Sequence, residues 1–230
     1  VAELRFLTDH PEREVLAAFR DLLAANREAA GLTSVSDPDE IDRRHIGESL
    51  LLLEALEAAG VFASPAIDVG AGGGLPGIPI KIARPDLDLT LLEATTNKAS
   101  FLQLAVDQLR LARVSVVNAR AEDAGRDPTH REAYELALAR AVAPLPVLVE
   151  LTLPFLRVGG TLASPKGSRA QEEVQTAKHA LSECGGEVMH VSRLELPWGG
   201  DAPTLVIVRK VAPTPNKYPR RPGLPGKRPL

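Results

Sequence analysis

The sequence predicts a doubly wound α/β fold, Rossmann-like, with a mostly parallel sheet, one antiparallel strand near its edge, and helices ahead of it. Three observations predict it. From Pro65 onward, short apolar runs alternate with helical patterns, as right-handed βαβ crossovers require. The first of those runs leads straight into a dense glycine loop, Gly70-Ala71-Gly72-Gly73-Gly74-Leu75-Pro76-Gly77. The last two runs flank Pro197-Trp198-Gly199-Gly200-Asp201, a connection that suits a hairpin rather than a crossover.

Taken in order, residues 1–62 read as a helical region. After Pro11, Val15, Leu16, Phe19, Leu22 and Leu23 recur at helical spacing, so one face should be buried. Gly31-Leu32-Thr33-Ser34 breaks that helix. A second, over 40–59, carries Ile46, Leu50, Leu53 and Leu56 and stops at Gly60. Residues 63–211 hold the sheet. Strands are expected at 66–69, 87–92, 114–117, 135–139, 161–164, 188–196 and 204–209, with helices near 78–83, 98–111, 147–156 and 169–184. Thr96 and Ser168 are the expected N-caps. Residues 212–230 form a basic, proline-rich C-terminal arm.

The composition, 44% apolar and 25% charged over 230 residues, is that of a globular protein. No apolar run approaches the ~20 residues of a membrane span. The first residues show no signal-peptide pattern, although the chain opens at Val1 rather than Met. A single cysteine, Cys184, excludes an internal disulfide and points to the cytoplasm. Five scattered histidines make no metal site, and a monomer is expected. The net charge of −3 hides an asymmetry: residues 209–230 carry seven cations and no acid, leaving a body of −10. A basic end on an acidic body suits a local polyanion contact. Six prolines in that stretch predict an extended arm that docks at low entropic cost.

The glycine loop carries the function. Ala66-Ile67-Asp68-Val69 reads as a buried strand, and glycines after it let a ligand approach the main chain without a Cβ in the way. Asp68, two residues before Gly70, suits a ligand that brings a cation or a donor, such as the amino group of S-adenosylmethionine. A pyrophosphate would not want a carboxylate there. A G-x-G-x-x-G match does exist at Gly72, Gly74 and Gly77, but counted from Gly70 its third glycine falls on Leu75. S-adenosylmethionine is therefore favoured over a nicotinamide or flavin dinucleotide.

Ligands of doubly wound sheets sit at the C-terminal strand ends. The second strand ends at Glu93, 25 residues after Asp68, where one acid can accept from both ribose hydroxyls. The third leads into Asn118-Ala119-Arg120-Ala121-Glu122-Asp123, where a backbone amide and an acid could read an adenine edge. A parallel sheet with one antiparallel strand near its edge is the arrangement of class I methyltransferases.

As a set, these residues resemble the glucose-inhibited division protein B family, bacterial small-subunit ribosomal RNA guanine-N7 methyltransferases. The resemblance rests on residues 68–77, Ala119-Arg120-Ala121-Glu122, Ala139-Arg140-Ala141, Lys166-Gly167, Tyr218-Pro219-Arg220-Arg221-Pro222-Gly223, and Leu32-Thr33-Ser34 with Arg44-His45-Ile46 upstream. It implies S-adenosylmethionine contacts at Gly70, Leu75, Glu93, Ala94, Thr95, Ala121, Glu122 and Arg140, beside Asp68 and Gly72 from the loop itself. It implies 16S ribosomal RNA, or the small subunit or its precursor, as partner. Two departures stand out: Gly31 where the family commonly has Asn, and Pro203-Thr204 where many members have Arg-His. The second removes an expected cation from the substrate side.

Leu138-Ala139-Arg140-Ala141-Val142-Ala143-Pro144 replaces the Asn/Asp-Pro-Pro-aromatic segment common in enzymes that methylate exocyclic amines. Guanine N7 already presents a lone pair, so no base is needed, and Arg140 and Lys166 are expected to position the substrate. The A-form major groove hides N7, so the guanine should lie in a loop or be turned out. Phe6, Trp198 and Tyr218 are the few candidates for stacking on it, and each is expected to be packed rather than stacked. Lys217, Arg220, Arg221, Lys227 and Arg228 are expected to follow RNA phosphates, so loss of the arm should weaken RNA binding and spare the cofactor. The competing functions are an NAD(P)-dependent oxidoreductase and a non-catalytic RNA-binding protein.

Overall fold

The computed structural model describes residues 9–230, so Phe6 lies outside the described residues. Helix α1 (Arg13–Ala30) buries Leu16, Phe19 and Leu23 and ends at Gly31 in the left-handed conformation. The second helical stretch is one run in three pieces: α2 (Pro38–Ile41), a π-helical turn (Asp42–Gly47) and α3 (Glu48–Ala58). Asp37 caps its start, its side chain accepting from the Asp39 amide.

The sheet has seven strands: β1 (Ala66–Val69), β2 (Leu89–Glu93), β3 (Val114–Asn118), β4 (Tyr134–Leu138), β5 (Leu156–Lys166), β6 (Gly186–Arg193) and β7 (Thr204–Lys210). Their order is β3-β2-β1-β4-β5-β7-β6. The first five run parallel, and β7 pairs antiparallel with both β5 and β6. This is the class I methyltransferase arrangement that the sequence predicted. The crossovers are α4 (Gly77–Ala83), α5 (Thr96–Gln108), α6 (Ala121–Ala124), α7 (Leu145–Thr152) with a 3-10 turn (Leu153–Phe155), and α8 (Ala170–Thr176) with α9 (Lys178–Cys184).

Alternation along the strands divides the core in two. Ala66, Leu89, Leu91, Leu136 and Ile207 pack with α1, α3, α4 and α5, so the N-terminal helices share one core with the sheet. Ile67, Val69, Leu92, Ala137 and Val208 pack with α7, α9 and Tyr218 of the C-terminal segment.

Three local expectations are corrected. Thr95, not Thr96, holds the N-cap position of α5, and the Thr96 hydroxyl donates instead to Asn118 Oδ1 at 3.2 Å. Ser168 caps nothing, because α8 begins after Arg169, and the helix expected over 169–184 divides at Ala177. The extended arm is folded: residues 212–230 lie against the sheet's second core and include a short helix, α10 (Leu224–Lys227).

Candidate active site

At the end of β1 the chain turns sharply, and the amides of Gly70 and Ala71 both donate to Leu92 O, at 2.8 and 3.0 Å. Asp68 braces this turn from beneath. It is fully buried, and its Oδ2 accepts from the Gly77 amide at 2.9 Å. A Cβ at position 77 would lie 2.7 Å from that oxygen, so only glycine lets the loop close over the acid. Asp68 Oδ1 has no partner, and burial pushes the carboxyl up to about 7. The Asp68 side chain lies one layer below the loop and lines none of the cavities above it.

Three adjoining cavities follow the strand ends. The first, about 300 Å³, is lined by Gly70, Glu93, Ala94, Ala121 and Glu122 over the apolar Val69, Leu92 and Val142. The second, about 430 Å³, takes in Gly70, Gly72, Leu75, Glu93, His45 and Arg140. The third, about 590 Å³, is bordered by Arg44, Glu48, Arg140, Lys166, Arg169 and Pro203. Gly70 and Glu93 border the first two, and Arg140 with Arg44 and Glu48 borders the last two.

Glu93 stands at the first junction because β2 ends there, in register with Asn118 of β3. Its Oε1 accepts from the Thr95 amide at 2.7 Å and its Oε2 from the Gly72 amide at 3.0 Å. Each oxygen keeps a lone pair for a further donor. Thr95 thus acts through Glu93 rather than lining a cavity itself.

Arg140 stands at the second junction. Its Nη1 donates to Arg44 O at 3.2 Å and lies 3.7 Å from Glu48 Oε2. Burial lowers the guanidinium pKa, against the pull of Glu48 and Asp68. Arg44 comes from the π-helical turn, a geometry that recurs at functional sites, and Glu48 opens α3 directly after it. On that turn, His45 Nε2 lies 2.8 Å from Thr33 Oγ1, while its buried Nδ1 has no partner. Burial, then Arg140, pushes the imidazole down to about 4, so it is neutral. Sequence reasoning singled out His45 only through its motif and missed Glu48, which burial shifts upward.

Lys166 is neither solvated nor free. Its ammonium donates to Ala143 O at 2.6 Å and pairs with Glu173 at 3.0 Å, and burial lowers its pKa. Register pairs it with Thr204, so the Pro203-Thr204 departure falls beside the third cavity.

The C-terminal cations divide. Arg220 grips Glu150 with Nε and Nη2 at 2.6–3.0 Å, and Lys217 pairs with Glu183 at 2.8 Å, so these two are engaged by acids that the sequence did not place nearby. Arg221, Lys227 and Arg228 are exposed and form no ion pair among the described residues. Tyr218 is packed, its hydroxyl donating to Glu183 Oε2 at 2.7 Å, and Trp198 lies over Gly47. Neither is a free stacking platform. No cluster of three or more metal-ligating side chains occurs among the described residues, and no described helix is long and apolar enough to cross a membrane.

The family model for the rRNA small subunit methyltransferase G family (GidB) matches residues 12–197. Among similar proteins, the ribosomal RNA small subunit methyltransferase G of Roseiflexus castenholzii is 46% identical over 96% of this chain and 93% of its own. That of Alkaliphilus metalliredigens is 39% identical over 99% and 95%. Solved structures are more distant and speak to the fold. A SAM-dependent methyltransferase from Aquifex aeolicus, 17% identical, covers 76% of this chain and 99% of its own with a TM-score of 0.54. M. jannaschii TYW2 in complex with AdoMet, 15% identical, covers 69% and 74% with a TM-score of 0.50. The strand order, the glycine loop over Asp68 and the near full-length matches agree, and the chain belongs to the rRNA small subunit methyltransferase G family.

Proposed function

We propose that this protein is an S-adenosylmethionine-dependent methyltransferase that modifies N7 of a guanine in 16S ribosomal RNA, acting in the cytoplasm. The observation that carries the reading is Glu93 at the junction of the first two cavities, held by two backbone amides with lone pairs to spare. A carboxylate so placed suits the ribose of a nucleoside whose base and tail diverge into the two cavities. The residues present fit the rest of the ligand. The first cavity has apolar walls for a base, with Ala121 and Glu122 at its edge. In the second, a Cβ at Gly72 would meet nothing nearer than 3.8 Å, so the loop is an open cradle, and His45 Nδ1 awaits a polar partner.

S-adenosylmethionine supplies an electrophilic methyl group on a sulfonium. The chain's own part is to hold and orient. Arg140, shared by the second and third cavities, is placed to hold a phosphate or the guanine O6 beside the transfer point. The carboxylates around the third cavity each face a cation: Glu173 accepts from Lys166 and from the Leu145 amide, Glu48 faces Arg140, and Asp201 pairs with Arg193. Attack by N7 requires no proton to be removed first, so in-line positioning can supply most of the acceleration, up to ~7–11 kcal/mol when geometry is good. Lys166 acts by fixing the loop of the third cavity, while Arg169, Arg221, Lys227 and Arg228, which form no ion pair among the described residues, are cations offered to RNA phosphates.

Calorimetry tests the cofactor half of this reading. Binding of S-adenosylhomocysteine and none of NAD is expected. NAD binding without S-adenosylhomocysteine binding would return the glycine loop to the dinucleotide reading.

A further inference from the structure

The C-terminal segment was expected to serve RNA, yet its contacts run to the cofactor side. Beyond β7 the chain is fastened at successive points. Thr214 Oγ1 accepts from the buried Lys210 ammonium at 2.7 Å and donates to Cys184 O at 2.8 Å. The Arg131 guanidinium donates to Thr214 O at 2.6 Å and to Tyr218 O at 3.0 Å. Glu150, wholly buried on α7, accepts from the Arg220 backbone amide at 2.7 Å as well as from its guanidinium. Arg220 Nη2 also donates to Arg228 O at 2.8 Å, which ties the end of the chain back to the same ion pair. Past this latch, the Gly223 amide donates to Glu122 Oε1 at 2.8 Å, and Gly223, Pro225 and Gly226 become part of the wall of the first cavity.

We propose that residues 223–230 are a structural part of the cofactor site, closing its nucleoside end, and that Arg220 is the positioning residue that holds them there. The inference rests on the reading of the first cavity as the nucleoside subsite. Its physics is independent of RNA. A buried carboxylate must be compensated, so Glu150 demands a cation and fixes where Arg220 sits. With Arg220 fixed, the turn at Gly223 delivers a backbone donor to Glu122 and thereby orients an acid that borders the nucleoside. Small-ligand sites bury most of their ligand, and without this segment the first cavity loses one wall to solvent. Upstream of the segment, Lys217 and Arg220 are engaged by Glu183 and Glu150, so the chain leading into it is fastened to the body.

The test starts from the full-length protein titrated with S-adenosylhomocysteine. Failure of the intact protein to bind sinks the nucleoside reading itself. Given binding, deletion of residues 223–230, which leaves the Arg220 side chain on Glu150, should raise the Kd about tenfold or more, a loss of about 1.4 kcal/mol. Arg220→Lys, which keeps a cation for Glu150 but loses the two-pronged grip, should weaken binding less. Hydrogen exchange on the intact protein provides an arm that needs no variant: the amides of Gly223, Lys227 and Arg228 should exchange more slowly once S-adenosylhomocysteine is bound. A folded deletion variant with undiminished S-adenosylhomocysteine affinity and weakened RNA binding would overturn the proposal in favour of an RNA arm. Unchanged exchange of those amides on ligand addition would overturn it as well.

Discussion

Glu93 and Asp68 are both buried acids at strand ends, and the structure separates their tasks. Glu93 is met only by backbone amides, so its removal should cost ligand affinity more than fold. Glu93→Ala is expected to weaken S-adenosylhomocysteine binding by about 1–3 kcal/mol, the range for a charged hydrogen-bonding partner, as read by calorimetry. Normal affinity with a lowered melting temperature would make Glu93 a loop brace only. Asp68 is that brace, and its carboxyl, raised by burial to about 7, makes it a source of pH dependence. In the folded state it holds its proton to a higher pH than in the unfolded chain. Its contribution to stability is therefore full below about 4 and lost as pH rises through about 7. His45, depressed to about 4, works in the opposite sense: its contribution is present above about 6.5 and lost as pH falls towards 4. The two slopes offset one another in the wild type. Asp68→Asn keeps an acceptor for Gly77 and removes one slope, so the variant should gain melting temperature relative to wild type as pH rises from 4 to 7. Parallel melting curves across that range would contradict the assignment.

At the scale of elements, the π-helical turn and the β6–β7 connection form a joint over the third cavity. A Cβ at Gly47 would lie 2.5 Å from Trp198 Cη2, so the turn keeps a glycine where the indole rests on it. Gly47→Ala should push the ring outward, and because Trp198 is the only tryptophan its emission should shift to the red. An unmoved spectrum would mean that the connection yields without exposing the ring. The turn itself was not legible in the sequence. A 3.6-residue pattern predicts one helix from 40 to 59, and one extra residue within the turn barely disturbs apolar spacing. The centre of the sheet was legible in short apolar runs with clear bounds, such as β1 between Pro65 and Gly70 and β2 between Asp88 and its closing Glu93. Its hairpin edge was legible from Gly199-Gly200. Glu93, Ala121 and Glu122 were legible for the same reason, since strand ends fix where they emerge. The partners of Arg220, Lys217 and Lys166 were not. Glu150, Glu183 and Glu173 sit on helices whose rotation about the sheet is set by packing, not by local pattern.

Across the whole molecule, charge divides less sharply than the sequence suggests. The basic C-terminus returns to the acidic body, where Glu150 and Glu183 absorb two of its cations. Of the cations there that form no ion pair among the described residues, Lys227 and Arg228 lie within the segment that walls the first cavity, and Arg221 lies just before it. The three cavities thus share the line of strand ends, with Arg140 on the border of the second and third. In the proposed methyl transfer they act together, and the position of a transferred label reports it. Purified protein is incubated with methyl-labelled S-adenosylmethionine and with small subunits or 16S ribosomal RNA lacking the modification, and the label is mapped by nuclease digestion and mass spectrometry. The account predicts incorporation at one guanine, recovered as N7-methylguanosine. Label recovered on an exocyclic amine or a ribose hydroxyl, or no label on either substrate despite bound S-adenosylmethionine, would contradict it.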